Sequence, residues 1–135
     1  MRRVFVDTGA WFAFFVASDP DHHAVAEALS DWEGRLLTTD YVFDELVTLV
    51  RYRATHGDAR RVGDALRAGS VAELIGLQRR DIDRAWERFA RDTDKRYSFT
   101  DCTSFAVMNR LGIDTAVAVD DHFRQAGFVV LPPSR

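Results

Sequence analysis

Two short apolar segments, at residues 4–6 and 116–119, are each followed directly by an aspartate, Asp7 and Asp120. Segments that are short and continuously apolar are typical of strands buried on both faces, as in parallel sheets covered by helices. Ligands of such sheets bind beyond the carboxyl ends of the strands. The sequence therefore predicts that two acids from distant parts of the chain lie at one edge of a parallel sheet.

Strand and helix patterns alternate along the chain, with no internal repeat, low-complexity tract or linker. We predict strands at residues 4–6, 36–38, 71–75, 115–119 and 128–131, and helices at residues 8–17, 22–32, 40–55, 58–68, 81–92 and 101–111. This alternation predicts an α/β fold, and 135 residues are enough for one domain with a core but too few for two. We therefore expect a single domain over residues 1–135.

Two further acids, Glu45 and Asp101, interrupt apolar helix patterns. With about 100° per residue, Glu45 lies at the edge of an apolar helical stripe, whereas Asp44 points away from it. Asp101 shares a helix face with Phe105 and Met108. Each acid also has a simpler explanation. Glu45 could lie at the edge of the core and pair with an arginine. Asp101 could belong to a capping box that starts at residue 98, and Asp7 could likewise cap the helix that follows it.

Four carboxylates beside apolar segments raise an electrostatic problem. Burying one unpaired carboxylate costs several kcal/mol or raises its pKa, and crowding several together is worse. A divalent cation relieves both penalties, and oxygen ligands favour Mg²⁺ or Mn²⁺. The four histidines show no ligand spacing, so we do not expect a zinc site. Asp7, Glu45, Asp101 and Asp120 are therefore the candidate metal ligands and catalytic residues.

The fourth position has two candidates, Asp120 and Asp121. If the strand ends at residue 119, Asp120 is the first residue beyond the sheet, and Asp121 is placed to cap the short turn at residues 122–124. We assign Asp120 to the site and Asp121 to the cap, and the choice between them stays open.

Composition restricts the cellular setting. The longest apolar stretch, residues 10–17, is shorter than the ~20 residues that span a bilayer, so we expect no membrane association. Cys102 is the only cysteine, which excludes an internal disulfide and favours a reducing cytoplasm. A net charge of −3 argues against broad electrostatic capture of nucleic acid. However, nearly all basic residues are arginines, which suit phosphate contacts.

Taken together, residues 4–8, 39–45, 98–105, 119–123 and 126–128 resemble the motifs of a PIN domain, and within that superfamily a VapC-type toxin of a toxin–antitoxin pair. The resemblance implies a three-layer α/β/α fold with about five parallel strands flanked by helices. It also implies that Asp7, Glu45, Asp101 and Asp120 are the family's acidic quartet. The expected activity is Mg²⁺-dependent endoribonuclease cleavage, with Mn²⁺ as a possible substitute, by a metal-activated water.

The same resemblance implies an RNA substrate, a VapB-like antitoxin and a homodimer. Trp11, Phe12, Phe14 and Phe15 give the first helix more aromatic surface than one side of a small domain readily buries, which suggests an interface. Two alternatives remain: a catalytically silent RNA-binding or scaffolding PIN domain, and a receiver or aspartyl-phosphate phosphatase. The RNA target, the number of metal ions and the antitoxin are not readable from the sequence.

Overall fold

The computed structural model describes residues 2–133, which form five strands and seven helices. In chain order these are β1 (Arg3–Val6), α1 (Thr8–Phe15), α2 (His22–Asp31), β2 (Arg35–Thr39), α3 (Asp40–Arg53), α4 (His56–Arg67), β3 (Glu73–Ile75), α5 (Arg79–Arg91), α6 (Phe99–Leu111), β4 (Thr115–Val117), α7 (His122–Gln125) and β5 (Val129–Leu131). All five predicted strands and all six predicted helices are present, and α7 occupies the predicted turn.

The five strands form one parallel sheet in the order β3-β2-β1-β4-β5. Phe5 in the central strand pairs with Leu37 of β2 on one side and with Ala116 of β4 on the other. The chain moves from β1 to β2 to β3 in one direction and from β4 to β5 in the other. Since such crossovers are right-handed, α1–α4 cover one face of the sheet and α5–α7 cover the other. The predicted α/β fold with five parallel strands is confirmed.

The core lies on both faces of β1. Val4, Phe5 and Val6 are fully buried, which explains why this strand shows no alternation of apolar and polar residues. On the face covered by α5–α7, Phe123 lies between Phe5 and Phe105, with ring centroids 5.9 Å and 4.9 Å away. These aromatic contacts hold α6 and α7 against the strand that leads to Asp7.

The ends of several elements differ from the predictions for local reasons. Thr39, rather than Asp40, caps α3, because its hydroxyl accepts a hydrogen bond from the Val42 amide at 3.2 Å. The Asp40 carboxylate instead accepts one from the Leu77 amide at 3.2 Å. Helix α6, by contrast, ends at Leu111 as predicted, before Gly112, whose φ of 69° is left-handed and suits glycine. Strand β4 ends at Val117, two residues earlier than predicted.

Helix α1 carries less exposed aromatic surface than the sequence suggested. Trp11 and Phe12 are buried, while Phe14 and Phe15 are half-buried and pack against Trp11. Helix α1 packs against both α2 and α3, but Phe14 and Phe15 keep part of their surface exposed, so the interface expected on this helix stays a prediction. No helix within residues 2–133 is long and apolar enough to cross a membrane.

Strands β1 and β4 mark the point where the strand order reverses. They are neighbours in the sheet, but the chain leaves them towards opposite edges. In open parallel sheets this arrangement leaves a crevice at the carboxyl ends of the two strands, where ligands bind. Asp7 and Asp120 follow these two strands, so the topology itself places both acids beside the crevice.

Candidate active site

Asp7 lies directly beyond β1 and is only 5% exposed. Its backbone amide donates a 3.0 Å hydrogen bond to the carbonyl of Val117, which fixes it against the end of β4. Asp7 occupies the N-cap position of α1, but its side chain makes no capping hydrogen bond. The capping explanation for this acid is therefore not supported, and its carboxylate is free for another role.

The carboxyl of Asp7 has a pKa well above its usual value. Burial is the main cause, and the negative charges of Asp101, Asp120 and Glu45 raise the pKa further, while the Thr8 amide partly opposes them. All three of the other predicted acids therefore act on Asp7 through space. Neither Asp7 nor Glu45 forms an ion pair with a basic side chain within residues 2–133.

Asp101 lies in the first turn of α6 and is 6% exposed. It forms a capping box with Ser98: the Ser98 amide donates to Oδ2 of Asp101, the Asp101 amide donates to the Ser98 hydroxyl, and both distances are 2.9 Å. Burial raises the pKa of Asp101, although the Ser98 amide and His122 lower it in part. The predicted cap is real, but it occupies Oδ2 and leaves Oδ1 without a hydrogen bond in the described structure.

Asp120 lies in the loop after β4, and its side chain is 46% exposed. Its Oδ1 accepts a 3.0 Å hydrogen bond from the His122 amide. Asp121 occupies the N-cap position of α7 but makes no capping bond, because its carboxylate turns outward to Arg124 at 2.9 Å. Asp120 rather than Asp121 therefore bonds the backbone of the turn, contrary to the expected division of roles. Asp120 is nevertheless the acid of this pair whose negative charge raises the pKa of Asp7.

Gly9 allows the Asp120 loop to approach β1 closely. A Cβ atom at residue 9 would lie 2.7 Å from Cγ2 of Val119, which is shorter than a normal contact. A larger residue in the first turn of α1 would therefore push the loop that carries Asp120 away from Asp7.

Glu45 lies on α3 and is half-buried, whereas its neighbour Asp44 is exposed. This difference in burial is the one that helical periodicity predicted, and the role of Glu45 in the site stays a prediction. Glu45 comes from the helix after β2, so the acids that act on Asp7 are supplied by α3, α6 and the loop after β4.

His122 contacts two of the predicted acids, although the sequence analysis did not select it. Its Nδ1 lies 2.8 Å from Oδ2 of Asp101 and 3.6 Å from Oδ2 of Asp120. The imidazole ring also packs against Tyr97, with ring centroids 5.9 Å apart. His122 therefore links two of the acids, and its position two residues after Asp120 was the signal available in the sequence.

The chemistry of these side chains fits a hard divalent cation, although their present positions do not form a complete site. Within residues 2–133, no three His, Cys, Asp or Glu side chains lie close enough to hold an ion together. The donors are nevertheless carboxylate oxygens, which suit Mg²⁺ or Mn²⁺. The Thr8 hydroxyl, adjacent in sequence to Asp7, is buried and has no hydrogen-bond partner among residues 2–133. An unpaired buried carboxylate beside an unpartnered hydroxyl is the environment that a bound ion with its waters would satisfy.

The PIN domain family matches residues 4–129 of the chain. VapC20 of Mycobacterium tuberculosis, named as a 23S rRNA-specific endonuclease, is 35% identical over 130 residues, which cover 96% of this chain and 98% of the relative. A VapC ribonuclease from Archaeoglobus fulgidus is 29% identical over 123 residues, which cover 87% of this chain and 77% of the relative.

Solved structures agree with these sequence relationships. The crystal structure of M. tuberculosis VapC20, described as a sarcin–ricin loop cleaving toxin, matches with a TM-score of 0.89 and 34% identity over 93% of this chain and 96% of that one. FitAcB from Neisseria gonorrhoeae matches with a TM-score of 0.71 over 94% of this chain and 95% of that one. At 13% identity, this second likeness concerns the fold alone.

Proposed function

Because the chain belongs to the PIN domain family, we propose that it is a metal-dependent endoribonuclease that acts as the toxin of a toxin–antitoxin pair. The observation that carries this proposal is Asp7, a buried carboxylate whose pKa is raised by burial and by three other acids and which has no basic partner in the described structure. The similarity to an RNA endonuclease over almost the whole chain supports the same activity. Family membership also removes the receiver and aspartyl-phosphatase alternatives.

We assign the metal ligands from the four acids. Asp7 and Asp101 would hold Mg²⁺ or Mn²⁺, and Asp120 and Glu45 would complete or orient the coordination. A bound ion would act as a Lewis acid that stabilises negative charge on the phosphoryl oxygens of the RNA. The low exposure of Asp7 and Asp101 keeps bulk water from competing for their oxygens.

The protein's own groups prepare Asp101 for this role. The Ser98 amide and the His122 ring both bond Oδ2, so the carboxylate is held in one orientation with Oδ1 uncommitted. Hydrogen bonds that orient a ligating carboxylate are part of the design of metal sites, and their loss typically costs about 10–100-fold in affinity or activity. Ser98 and His122 are therefore proposed as orienting groups, whereas Asp101 would itself hold the ion.

The substrate we propose is 23S ribosomal RNA, and within it the sarcin–ricin loop. VapC20 carries this specificity in its name and description, and the two chains match over nearly their entire lengths. Wild-type protein should therefore cut 23S rRNA in purified ribosomes at a single position when Mg²⁺ is present and should not cut it in excess chelator.

The ends of the RNA fragments test the chemistry. Attack by water on the phosphodiester leaves a 5′-phosphate and a 3′-hydroxyl, which can be identified by ligation-dependent end mapping. Recovery of 2′,3′-cyclic phosphates would contradict the proposed reaction, because those ends require attack by the ribose 2′-hydroxyl.

The chain offers a matched control for the assigned acids. Glu45→Gln should reduce cleavage strongly, whereas Asp44→Asn removes the same charge from an exposed neighbour and should cleave like wild type. Asp7→Asn should lower the rate of RNA cleavage by more than the roughly 10–100-fold that the loss of an orienting hydrogen bond costs. If wild type binds RNA without cutting it in either metal, the catalytically silent alternative is correct.

We further propose a VapB-like antitoxin as the cognate partner and a homodimer as the active assembly. The toxin description of the relative VapC20 supports the antitoxin. Light scattering coupled to size exclusion should give twice the 15.3 kDa chain mass. A monomer at high micromolar concentration would contradict the dimer.

A further inference from the structure

A groove runs between α5 and α6 on the face of the sheet opposite α1–α4. Its volume is about 440 Å³, and acids, Cys102 and apolar α6 side chains contribute to its walls. Five arginines dominate its lining: Arg80, Arg84, Arg88, Arg91 and Arg110. Four of them follow one another along one side of α5 at a spacing of three or four residues, so that each turn of the helix contributes one positive charge.

The groove has more positive than negative charge. Asp81 and Glu87 line it, and Asp92 lies beside it in contact with Arg88 at 3.3 Å and Arg91 at 2.9 Å. Five guanidinium groups and three carboxylates leave two positive charges in excess. Arg84 has no carboxylate within ion-pair distance among the described residues.

Arg80 accounts for part of this excess, because the side chain it bonds is uncharged. Its Nε donates to the side-chain oxygen of Gln78 at 2.6 Å. Arg80 and Arg84 are both exposed, so a ligand can reach them without displacing an ion pair. These two side chains are the part of the groove that is free to bind an anion.

The groove is held rigidly at both ends. At one end, Arg110 binds buried Asp81 through two hydrogen bonds of 2.7 Å and 2.9 Å, which joins α6 to α5. At the other end, the Arg88 guanidinium lies 4.9 Å from the ring centroid of Phe105 and 5.6 Å from that of Tyr97. These contacts fix α5 against α6, so the helix that carries Arg80 and Arg84 is held in place while their guanidinium groups stay exposed for a phosphate.

The same end of the groove adjoins the acids. Tyr97, which stacks with Arg88, also contacts the ring of His122, and His122 bonds Asp101 at 2.8 Å. Cys102, which follows Asp101 in the chain, lines the groove. A polyanion bound along α5 would therefore reach the acids at the N-terminal end of α6.

We propose that the α5–α6 groove binds the phosphate backbone of the RNA on one side of the cleaved bond, with Arg80 and Arg84 as its phosphate contacts. The inference rests on the proposed ribonuclease function and extends it to substrate binding. A chain with a net charge of −3 has no general attraction for RNA, so a local positive groove beside the acids supplies what the overall charge does not.

The test measures RNA binding separately from cleavage. A fluorescein-labelled RNA hairpin with the sarcin–ricin loop sequence is titrated with Asp7→Asn protein in chelator, by fluorescence anisotropy at several salt concentrations. Introducing Arg80→Gln and Arg84→Gln together into the Asp7→Asn protein should weaken its affinity for the hairpin by about tenfold or more. It should also reduce the slope of log affinity against log salt by roughly 1 for each phosphate contact that is lost.

The matched control is Arg67→Gln on α4. Arg67 is exposed, lies on the other face of the sheet and has no ion-pair partner among the described residues. Its substitution removes one positive charge, as each groove substitution does by itself, and should leave both the affinity and the salt slope unchanged. Arg84→Lys should recover only part of the affinity, because lysine keeps the charge but not the fork of donors.

The outcomes separate this inference from the ribonuclease proposal. If wild type cuts RNA but the two groove substitutions bind the hairpin like Arg67→Gln, the groove assignment is wrong and the nuclease assignment stands. If wild type does not cut RNA, and the groove substitutions nevertheless weaken hairpin binding, the groove assignment stands and the nuclease assignment is wrong. An acidic oligoglutamate peptide provides the third arm. If the groove substitutions weaken binding of that peptide alone and leave RNA affinity intact, the groove is a protein-docking site and the inference is overturned.

Discussion

The Nδ1 atom of His122 lies 2.8 Å from Oδ2 of Asp101 and thereby joins the loop after β4 to the first turn of α6. This hydrogen bond lowers the pKa of Asp101, which burial otherwise raises. His122→Ala should therefore raise the pKa of Asp101 further, so that the carboxylate ionises only at higher pH. The acid limb of the pH profile of RNA cleavage should move to higher pH, and activity should fall by roughly 10–100-fold.

His23→Ala provides the control for this substitution, because His23 is exposed on α2. Its pH profile should coincide with that of wild type. An unchanged acid limb in His122→Ala would show that the hydrogen bond to Asp101 does not influence ionisation at the site.

Asp7→Asn should stabilise the metal-free protein at neutral pH. The pKa of Asp7 is raised in the folded state by burial and by neighbouring acids, so the folded protein binds more protons than the unfolded one between the ordinary and the raised pKa. The free energy of unfolding therefore falls as pH rises through that interval. Asparagine removes this penalty, and its advantage should disappear as pH falls below the ordinary Asp pKa of about 3.9.

Thermal unfolding in chelator at several pH values measures this effect. We expect Asp7→Asn to melt a few degrees higher than wild type at pH 7 and at the same temperature under acid conditions. Adding Mg²⁺ should then raise the melting temperature of wild type but not of the variant. Equal melting temperatures at neutral pH would mean that Asp7 carries no electrostatic strain.

Asp120→Asn and Asp121→Asn should differ sharply in RNA cleavage. The charge of Asp120 acts on Asp7, and its carboxylate bonds the His122 amide, whereas Asp121 turns away to an exposed pair with Arg124. Asp120→Asn should lower kcat by roughly tenfold or more, as expected when a ligand or its orienting partner is lost. Asp121→Asn should stay close to wild type in kcat and should cost at most about 1 kcal/mol, since exposed ion pairs are weak. If Asp121→Asn lowered kcat more than Asp120→Asn did, Asp121 rather than Asp120 would be the site residue.

Arg110→Met should destabilise the fold by about 3–5 kcal/mol, because it leaves the buried carboxylate of Asp81 without its charged partner. Asp81 has a pKa below its usual value: burial opposes this, but the hydrogen bonds from Arg110 and the Gln78 amide outweigh it. The stability contributed by Asp81 is therefore present above the ordinary Asp pKa and is lost as pH falls through its lowered pKa.

Urea unfolding at neutral pH and at acid pH checks this pair. The loss in Arg110→Met should be largest at neutral pH, and the double variant with Asp81→Asn should recover part of it. Additive losses in the double variant would indicate that the two side chains are not coupled.

The order and type of the elements were predictable because apolar runs and helix periodicity report burial directly. Glu45 could be chosen over Asp44 for the same reason, since a helix assigns each residue to a face. Asp120 and Asp121 lie in a loop that has no such period, so the sequence could not show which carboxylate bonds the backbone. A loop's hydrogen bonds depend on its path, which is fixed here by contacts such as that between Gly9 and Val119.

Two features required tertiary information. His122 acquires its role only when the loop after β4 meets α6, 21 residues earlier in the chain. The aromatic residues of α1 suggested an exposed surface because a helix of a small domain usually buries one side. Instead α2 and α3 both pack against this helix, and Trp11 is fully buried, while Phe14 and Phe15 are half-buried.

The placement of β4 beside the central strand of the sheet has a consequence for the synthesis of this protein. β4 is translated after α5 and α6, yet it must enter beside β1 before Asp120 can approach Asp7. A growing chain that lacks β4 has an open edge on its first strand and an incomplete set of acids. If the target is ribosomal RNA, the ribosome that makes the enzyme is exposed to a finished nuclease only after nearly the whole domain has been translated.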